Sequence, residues 1–181
     1  MSTDLITGSF VALITPMNAD GSVDFEGFRT LIQFHEENGT SAILFMGSTG
    51  EVSMLSSEER HAIVRETMKM RSGKMHFYYG CTGTTTEGTI GYVQQAAAEG
   101  TDGAIIAAPA YICASNADIV QFCLDVADAS SIPLGFYNNP PRVGTDLKTE
   151  DLLRIAEHPR FRVLKESTTR VGQVAQVCAA K

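Results

Sequence analysis

Short apolar runs recur along the chain at a nearly constant interval, and each is followed by a longer stretch whose apolar residues have helical spacing. The runs begin at Phe10, Ala42, Met75, Ala104, Ile132 and Phe161. Successive starts lie about 30 residues apart, which suits one strand, one helix and their connecting loops. Continuous apolar runs are typical of strands that are buried on both faces, as in a parallel sheet. The pattern therefore predicts six consecutive βα units.

Helix signals fill the intervals between these runs. Apolar residues recur mostly at three and four positions between Asp24 and Asn38, and Phe25, Phe28 and Phe34 are the candidate core residues of this first helix. Ser56 and Glu59 have capping-box spacing and open a second helix. The chain then predicts a third helix ending at Glu99-Gly100, one from Ser115 to about Ala129, one from Thr149 to His158 and a last one near Val171.

Two folds repeat a βα unit in this way, the open doubly wound sheet and the (β/α)8 TIM barrel. No G-x-G-x-x-G follows the first run and no G-x-x-x-x-G-K-[ST] occurs, so the open-sheet alternative lacks its phosphate-binding loop. We therefore predict an α/β chain whose residues 1–181 form a single TIM-barrel domain. A complete barrel has eight units in about 250 residues, so we expect this barrel to be incomplete at its C-terminus.

The composition of the chain argues against several classes of binding partner. The net charge is −7 and the pI is about 5.0, which argues against a nucleic-acid surface because phosphate binding needs clustered Lys and Arg. No run reaches the length of a membrane span, and Met1–Gly8 shows no leader pattern. Four cysteines without metal-binding or disulfide-framework spacing indicate a reducing compartment. We expect a cytoplasmic protein.

The candidate catalytic and binding residues lie at the ends of the predicted strands. Active sites of barrels are built from the loops at the carboxyl ends of the strands. Those ends carry Gly47-Ser48-Thr49-Gly50-Glu51, Tyr111, Tyr137 and Lys165. A lysine at the tip of a buried strand is a candidate amine nucleophile that attacks a ketone to form an imine, while hydroxyl groups relay protons and bind a neighbouring carboxylate. Taken alone, Lys165 would be read as a solvated strand-end lysine.

Three segments together carry a family resemblance. They are Gly47-Ser48-Thr49-Gly50-Glu51, Tyr137-Asn138-Asn139-Pro140-Pro141-Arg142-Val143-Gly144 and Val163-Leu164-Lys165-Glu166. In this order the chain resembles the dihydrodipicolinate synthase and N-acetylneuraminate lyase family, closest to the synthase branch. The resemblance implies a class I aldolase or lyase, without a cofactor, that forms a Schiff base with pyruvate or another 2-oxo acid.

The resemblance also implies residue roles. Lys165 matches the imine-forming lysine and Tyr137 the tyrosine that shuttles protons. Ser48 and Thr49 match the pair that binds the 2-oxo acid carboxylate, with Ser48 also in the proton relay, and Gly47 and Gly50 give the substrate close access to the backbone. Glu51 is expected to anchor this loop or to form a dimer contact.

Two further positions concern the partner subunit and the second substrate. Tyr111 stands where the synthase branch has a tyrosine that reaches into a neighbouring subunit's site, which implies a homo-oligomer, either a dimer or a tetramer. Arg142 matches the arginine that holds the carboxylate of the second substrate. The implied reaction is the 4-hydroxy-tetrahydrodipicolinate synthase-like condensation of pyruvate with aspartate semialdehyde.

Departures from the synthase pattern keep other functions open. Ser48 replaces the usual threonine, Ala110-Tyr111 replaces the usual tyrosine pair, and Pro141 replaces a smaller residue. A 2-keto-3-deoxy sugar-acid aldolase or dehydratase would use the same Lys165 and Tyr137. A catalytically incompetent fragment that only binds a ligand or a partner is the third alternative. The four histidines do not cluster, so we expect no metal site.

Overall fold

The computed structural model describes residues 6–180. Residues 1–5, which belong to the stretch where we predict no leader, lie outside the described residues. The chain divides into two compact units. The first comprises the chain up to Gly80 together with Ala98–Asp102, and the second comprises Cys81–Ala97 and the chain from Gly103 onward. The prediction of one domain over residues 1–181 stays a prediction.

The first unit contains three parallel strands in chain order, with helices between them. Its strands are β1 (Phe10–Ala12), β2 (Ala42–Phe45) and β3 (His76–Gly80), and its helices are α1 (Phe25–Glu37) and α2 (Ser57–Lys69). The capping box predicted for α2 is present, because the Ser56 hydroxyl accepts the Glu59 N–H and the Glu59 carboxylate accepts the Ser56 N–H.

Aromatic side chains form the core of the first unit. The Phe45 ring is stacked on Tyr79 with centroids 4.9 Å apart, and Phe28 and Phe77 pack against it at 5.8 and 5.1 Å. All four are fully buried or nearly so. The Tyr79 hydroxyl shares a 2.7 Å hydrogen bond with Thr67 of α2, which satisfies the one polar atom that the stack buries.

The second unit repeats the same architecture. Its strands are β4 (Gly103–Ala107), β5 (Leu134–Asn138) and β6 (Phe161–Glu166), again parallel and in chain order. Its helices are α3 (Thr86–Ala98), α4 (Asn116–Asp128), α5 (Pro140–Val143), α6 (Thr149–Ala156) and α7 (Gly172–Ala179). The four-residue helix α5 follows β5 directly and was not predicted, since two prolines obscured its short helical pattern.

A β-bulge sets the register between β5 and β6. Leu134 pairs with Phe161, whereas the next residue, Gly135, pairs with Val163, so Arg162 is the extra residue. The pairing that follows places Tyr137 opposite Lys165. Without the bulge Leu164 would stand opposite Tyr137, and the later residues of β6 would present their side chains to the other face.

Most predicted elements are confirmed within one or two residues, and the exceptions lie at exposed positions. The first apolar run was predicted to be buried on both faces, but its strand is short and Phe10 and Ile14 are exposed. Phe34 was predicted in the core and is 56% exposed, with its ring edge-on to that of His35. It lies outside the buried stripe that Phe28 and Ile32 form on α1.

Candidate active site

Lys165 and Tyr137 lie side by side at the carboxyl ends of β6 and β5. They are direct cross-strand partners, and the Lys165 Nζ lies 4.2 Å from the centre of the Tyr137 ring. Both side chains are half-buried. An amine above an aromatic face is held by the ring quadrupole when it is charged and by packing of its stem in either state. The strand pairing thus brings a candidate nucleophile and a candidate proton carrier together.

The next cross-strand pair, Asn138 and Glu166, is joined by its side chains. The Asn138 Nδ2 lies 3.0 and 3.1 Å from the two Glu166 carboxylate oxygens. The same carboxylate accepts the Thr168 N–H at 2.8 Å and the Gln173 Nε2–H at 3.0 Å. Because successive strand residues face opposite sides of a sheet, this polar pair, of which Asn138 is buried, lies behind the Lys165–Tyr137 pair.

Asp146 and Arg170 extend this network. The Asp146 carboxylate accepts hydrogen bonds from Asn138 at 3.1 Å, from Thr168 at 2.9 Å and from the Arg170 guanidinium. Arg170 also donates to the Leu147 carbonyl at 2.7 Å. Burial raises the pKa of the Asp146 carboxyl, but the hydrogen bonds and the guanidinium charge together outweigh it and hold the pKa below the ordinary value.

The loop after β2 presents hydroxyl and backbone donors in the first unit. Ser48 is half-buried and Thr49 is exposed. Within residues 6–180, no protein acceptor takes the N–H groups of Ser48 and Thr49, and their hydroxyls make no hydrogen bond. The loop closes on itself, because the Gly47 carbonyl accepts the Gly50 N–H at 3.0 Å. Four adjacent donors are therefore open to a ligand.

Close backbone packing fixes this loop in place. The Gly50 carbonyl accepts the Thr15 hydroxyl at 2.6 Å, and a Cβ on Gly50 would lie only 3.0 Å from the Leu13 carbonyl. Met46, just before the loop, has a positive φ of 52°, and a Cβ on Gly80 would lie 1.9 Å from its carbonyl oxygen. Only glycine fits at position 80 without displacing the strand end that carries the loop.

Glu51 links this loop to the 3-10 turn that follows it. Its backbone is left-handed with φ 55°, and its carbonyl accepts the Met54 N–H at 2.8 Å in the 3-10 turn Val52–Met54. The Arg60 side chain of α2 donates to the Val52 carbonyl at 2.7 Å and ties the turn to the helix. The predicted dimer contact of Glu51 stays a prediction.

Arg142 lies on the short helix α5, four residues after β5 ends at Asn138. It is exposed, and no carboxylate among the described residues forms an ion pair with it. The helix ends at Gly144, whose φ of 75° is left-handed. An exposed guanidinium at this position is suited to bind an anionic group from solution.

Tyr111 lies in the loop after β4 rather than at the strand end. The strand stops at Ala107 because Pro109 cannot donate a strand hydrogen bond. Tyr111 is 98% exposed with φ 78°, and Ile112 beside it is 61% exposed. Neither Tyr111 nor Arg142 contacts Lys165 or Tyr137 through a hydrogen bond or ion pair in the part of the chain described.

Of the predicted residues, the structure brings Tyr137 and Lys165 together in the second unit and groups Gly47, Ser48, Thr49 and Gly50 in the first. Sequence reasoning missed the polar pair of Asn138 and Glu166. A signal existed, since each directly follows a predicted site residue and must pair whenever those residues pair.

Comparison with known proteins agrees with this architecture. The profile of the Dihydrodipicolinate synthetase family matches residues 5–180. The 4-hydroxy-tetrahydrodipicolinate synthase of Gluconacetobacter diazotrophicus is 34% identical over 177 residues, which are 98% of this chain and 60% of that protein. The enzyme of the same name from Neisseria meningitidis serogroup B is 37% identical over 168 residues, 93% of this chain and 58% of its own length.

Solved structures give the same result. The chloride-inhibited dihydrodipicolinate synthase from Acinetobacter baumannii, complexed with pyruvate, has a TM-score of 0.91 at 33% identity and covers 96% of this chain and 60% of its own. A prophage protein from E. coli of the dihydrodipicolinic acid synthase family, also in complex with pyruvate, has a TM-score of 0.90 at 30% identity. The match covers 96% of this chain and 59% of the prophage protein.

These matches confirm the predicted α/β fold of the TIM-barrel class, of which this chain contains six βα units. The chain belongs to the dihydrodipicolinate synthetase family. It spans about 60% of the length of the curated relatives it matches.

No helix between residues 6 and 180 is long and apolar enough to cross a bilayer. In the same range, no three His, Cys, Asp or Glu side chains come together as a candidate metal site. The predicted absence of a metal and of a cofactor stays a prediction.

Proposed function

We propose that this chain carries the Schiff-base site of a lyase that acts on pyruvate or another 2-oxo acid. The observation that carries the proposal is the position of the Lys165 Nζ, 4.2 Å above the Tyr137 ring, at paired strand ends. Family membership supports it, because two of the structural relatives are described as complexes with pyruvate.

The chemistry assigned to this pair is imine formation. The Lys165 amine adds to the ketone carbon of the 2-oxo acid, and the carbinolamine then loses water to give the imine. Each step needs a proton delivered or removed, and the Tyr137 hydroxyl is the carrier on the neighbouring strand. Reversal of the same steps releases the product.

Binding of the 2-oxo acid carboxylate falls to the loop after β2. Ser48 and Thr49 offer two N–H groups and two hydroxyls with no acceptor in the described protein. Hydrogen bonds to a charged acceptor are stronger than those between neutral groups. The absence of side chains at Gly47 and Gly50 lets the loop pack closely on Leu44 and Leu13, which fixes these N–H groups in place. Ser48 also serves the proton relay.

Within this class we propose 4-hydroxy-tetrahydrodipicolinate synthase-like chemistry, in which the imine of pyruvate condenses with aspartate semialdehyde. The curated relatives bear that enzyme's name. Arg142, exposed and without an ion pair among the described residues, is suited to hold the carboxylate of the aldehyde substrate.

A sugar-acid aldolase or dehydratase is the second candidate, favoured by Ser48 and by Ala110 beside Tyr111. Both candidates share the imine and differ in the second substrate. Turnover assays with aspartate semialdehyde and with 2-keto-3-deoxy sugar acids separate them, and turnover of the sugar acid alone would reject the synthase assignment.

We also propose that the protein works as a homo-oligomer, a dimer or a tetramer. The exposed pair Tyr111 and Ile112 supports this, because aromatic and apolar side chains are enriched in the cores of interfaces. Sedimentation of the protein before and after Tyr111→Ser and Ile112→Ser substitution tests it. A single monomeric species in the unmodified protein would reject the proposal.

Borohydride reduction in the presence of pyruvate tests the imine itself. We expect one reduced pyruvate to be added to Lys165, as located by peptide mass spectrometry. Pyruvate binding without an adduct would instead support a chain that binds its ligand without catalysis. The matched control is Lys148, an exposed lysine of the same unit, which should remain unmodified.

A further inference from the structure

We infer that Asn138 and Glu166 are positioning residues that hold Lys165 opposite Tyr137 from the opposite face of the strand pair. The inference rests on the proposed function for its catalytic consequence. Neither residue faces the substrate side, and both act through the residues that precede them.

The side chains of Asn138 and Glu166 are hydrogen-bonded to each other and join the ends of β5 and β6. This pair of residues is called the clasp. The Asn138 side chain is 1% exposed and bridges from β5 to both carboxylate oxygens of Glu166 on β6. Its own amide oxygen accepts the Leu147 N–H at 3.3 Å. Backbone bonds continue past the clasp, since the Asn138 carbonyl accepts the Ser167 N–H at 3.0 Å. The two strands are thus fastened one residue beyond the site pair.

The clasp is required because the register of this strand pair is irregular. Arg162 is inserted as a bulge at the start of β6, so the rest of the strand is shifted by one residue from the register of an unbulged pair. The alternative register would put Leu164 opposite Tyr137 and turn Lys165 to the other face. The hydrogen bonds between Asn138 and Glu166 exist only in the observed register and therefore select it.

Glu166 is suited to this role because it is surrounded by donors. Asn138, the Thr168 N–H and Gln173 all donate to its two oxygens. Replacing Glu166 by Gln keeps the shape but turns one acceptor into a donor that faces other donors. The clasp must then open or rotate, which loosens the strand end at Lys165.

Asp151→Asn is the matched control for Glu166→Gln. The Asp151 carboxylate lies in the same unit and also accepts hydrogen bonds, from Asn116 at 2.6 Å and from the Lys148 N–H at 3.0 Å. Its replacement makes the same chemical change at the start of α6 and breaks no contact of β5 or β6. A general loss of stability would affect both variants.

The first measurement is the rate of borohydride-trapped pyruvate adduct as a function of pyruvate concentration. We expect Glu166→Gln to lower the maximal rate about tenfold or more, since small misplacements of a reacting group have effects of this size. The pyruvate concentration at half-maximal rate should change less than about twofold, because carboxylate binding is left intact. Asp151→Asn should match the unmodified protein. Equal trapping by Glu166→Gln and the unmodified protein would overturn the inference while the proposed function stands.

The second measurement does not depend on pyruvate. Trace acylation of lysines by a neutral reagent, read by peptide mass spectrometry, reports how accessible and how nucleophilic each amine is. We expect Glu166→Gln to raise labelling of Lys165 relative to Lys148 by about two- to fivefold. This factor corresponds to the free energy of one cation–π contact at a partly exposed site. If the unmodified protein forms no pyruvate adduct, the proposed function fails, and this ratio alone decides the inference. An unchanged ratio would overturn it.

A milder variant covers the case in which Glu166→Gln does not fold. Gln173→Leu removes one of the donors to the Glu166 carboxylate, together with the Gln173 contacts to Arg170 and to the Leu147 carbonyl, and leaves the Asn138 bonds in place. It should shift both measurements in the same direction by a smaller factor. No shift in either would overturn the inference.

Discussion

The Lys165 Nζ lies 4.2 Å from the centre of the Tyr137 ring, and the two residues are direct partners in a parallel strand pair. On the proposed function, we predict two separable roles for Tyr137: its ring supports the amine, and its hydroxyl carries a proton. A substitution that keeps the ring and removes the hydroxyl separates the two.

Tyr137→Phe should therefore slow imine formation without moving Lys165. We expect the rate of pyruvate trapping to fall about 10²- to 10⁴-fold, the usual contribution of a positioned acid or base. The labelling of Lys165 by a neutral acylating reagent should stay within about twofold, because the cation–π contact is retained. Stopped reactions analysed by intact-mass spectrometry give both values.

The control for this variant is Tyr92→Phe, which removes a hydroxyl from another half-buried tyrosine of the second unit. Its trapping rate should equal that of the unmodified protein. If Tyr137→Phe traps pyruvate as fast as Tyr92→Phe does, the proton-carrying function of Tyr137 is rejected.

The hydroxyl of Ser48 should contribute to pyruvate affinity. Ser48→Ala removes a donor that no described protein group uses, so little stability should be lost. We expect the pyruvate concentration at half-maximal trapping to rise about tenfold, because one hydrogen bond to a charged group is worth roughly 1.5–3 kcal/mol. Thr49→Val should have an effect in the same direction.

Ser53→Ala is the control for the loop variants, since Ser53 is exposed on the adjoining turn. It should leave the concentration dependence unchanged. A half-maximal concentration that is the same in Ser48→Ala, Thr49→Val and Ser53→Ala would remove the carboxylate-binding assignment from this loop.

Asp146 should stabilise the second unit in a pH-dependent way. Its pKa in the folded protein lies below the ordinary value, so its contribution is present above the unfolded pKa of about 3.9 and is lost as pH falls through the folded value. Urea unfolding should show that Asp146→Asn lowers the free energy of unfolding at neutral pH. The difference from the unmodified protein should shrink at acid pH.

The control is the exposed Asp125, whose carboxylate accepts a hydrogen bond from Gln121 and from no other side chain in residues 6–180. Asp125→Asn should change the free energy of unfolding by less than about 0.5 kcal/mol. A difference for Asp146→Asn that stays constant or grows toward acid pH would contradict the assigned charge state of its network.

Gly135 should not tolerate a side chain. A Cβ there would lie 2.3 Å from the Ile105 Cδ1 and 2.9 Å from the Val163 Cβ, beside the bulge that sets the register of the site pair. Gly135→Ala should cost about 1–3 kcal/mol of unfolding free energy through overpacking. Chemical denaturation measures this loss.

Gly91 provides a control for which we expect the opposite change in the free energy of unfolding. It lies within α3, and a Cβ there would meet nothing within 4 Å. Gly91→Ala should stabilise the protein by about 0.5–1 kcal/mol, because alanine is the better helix former. If both substitutions destabilise equally, close packing at Gly135 is not the cause.

The sequence predicted the βα repeat well because its apolar runs and its helix caps agree. Ser56 and Glu59, for example, form the capping box that their spacing indicated. The family motifs then identified Lys165 and Tyr137, and the structure pairs them. The roles of the individual site residues stay predictions.

The remaining features depend on information that no local pattern carries. The bulge at Arg162 is a property of two strands together, so the run Phe161-Arg162-Val163 gave no sign of it. Exposure of Phe34 reflects which stripe of α1 faces the sheet, and its apolar character alone suggested burial. The clasp between Asn138 and Glu166 follows from the register, which had first to be known.

The most direct test of the central claim is the site of the reduced pyruvate adduct in the folded protein. Borohydride is added with pyruvate, and the modified peptide is sequenced by tandem mass spectrometry. We predict one added pyruvate on Lys165 and none after Lys165→Arg. An adduct on another lysine, or none at all, would contradict the account.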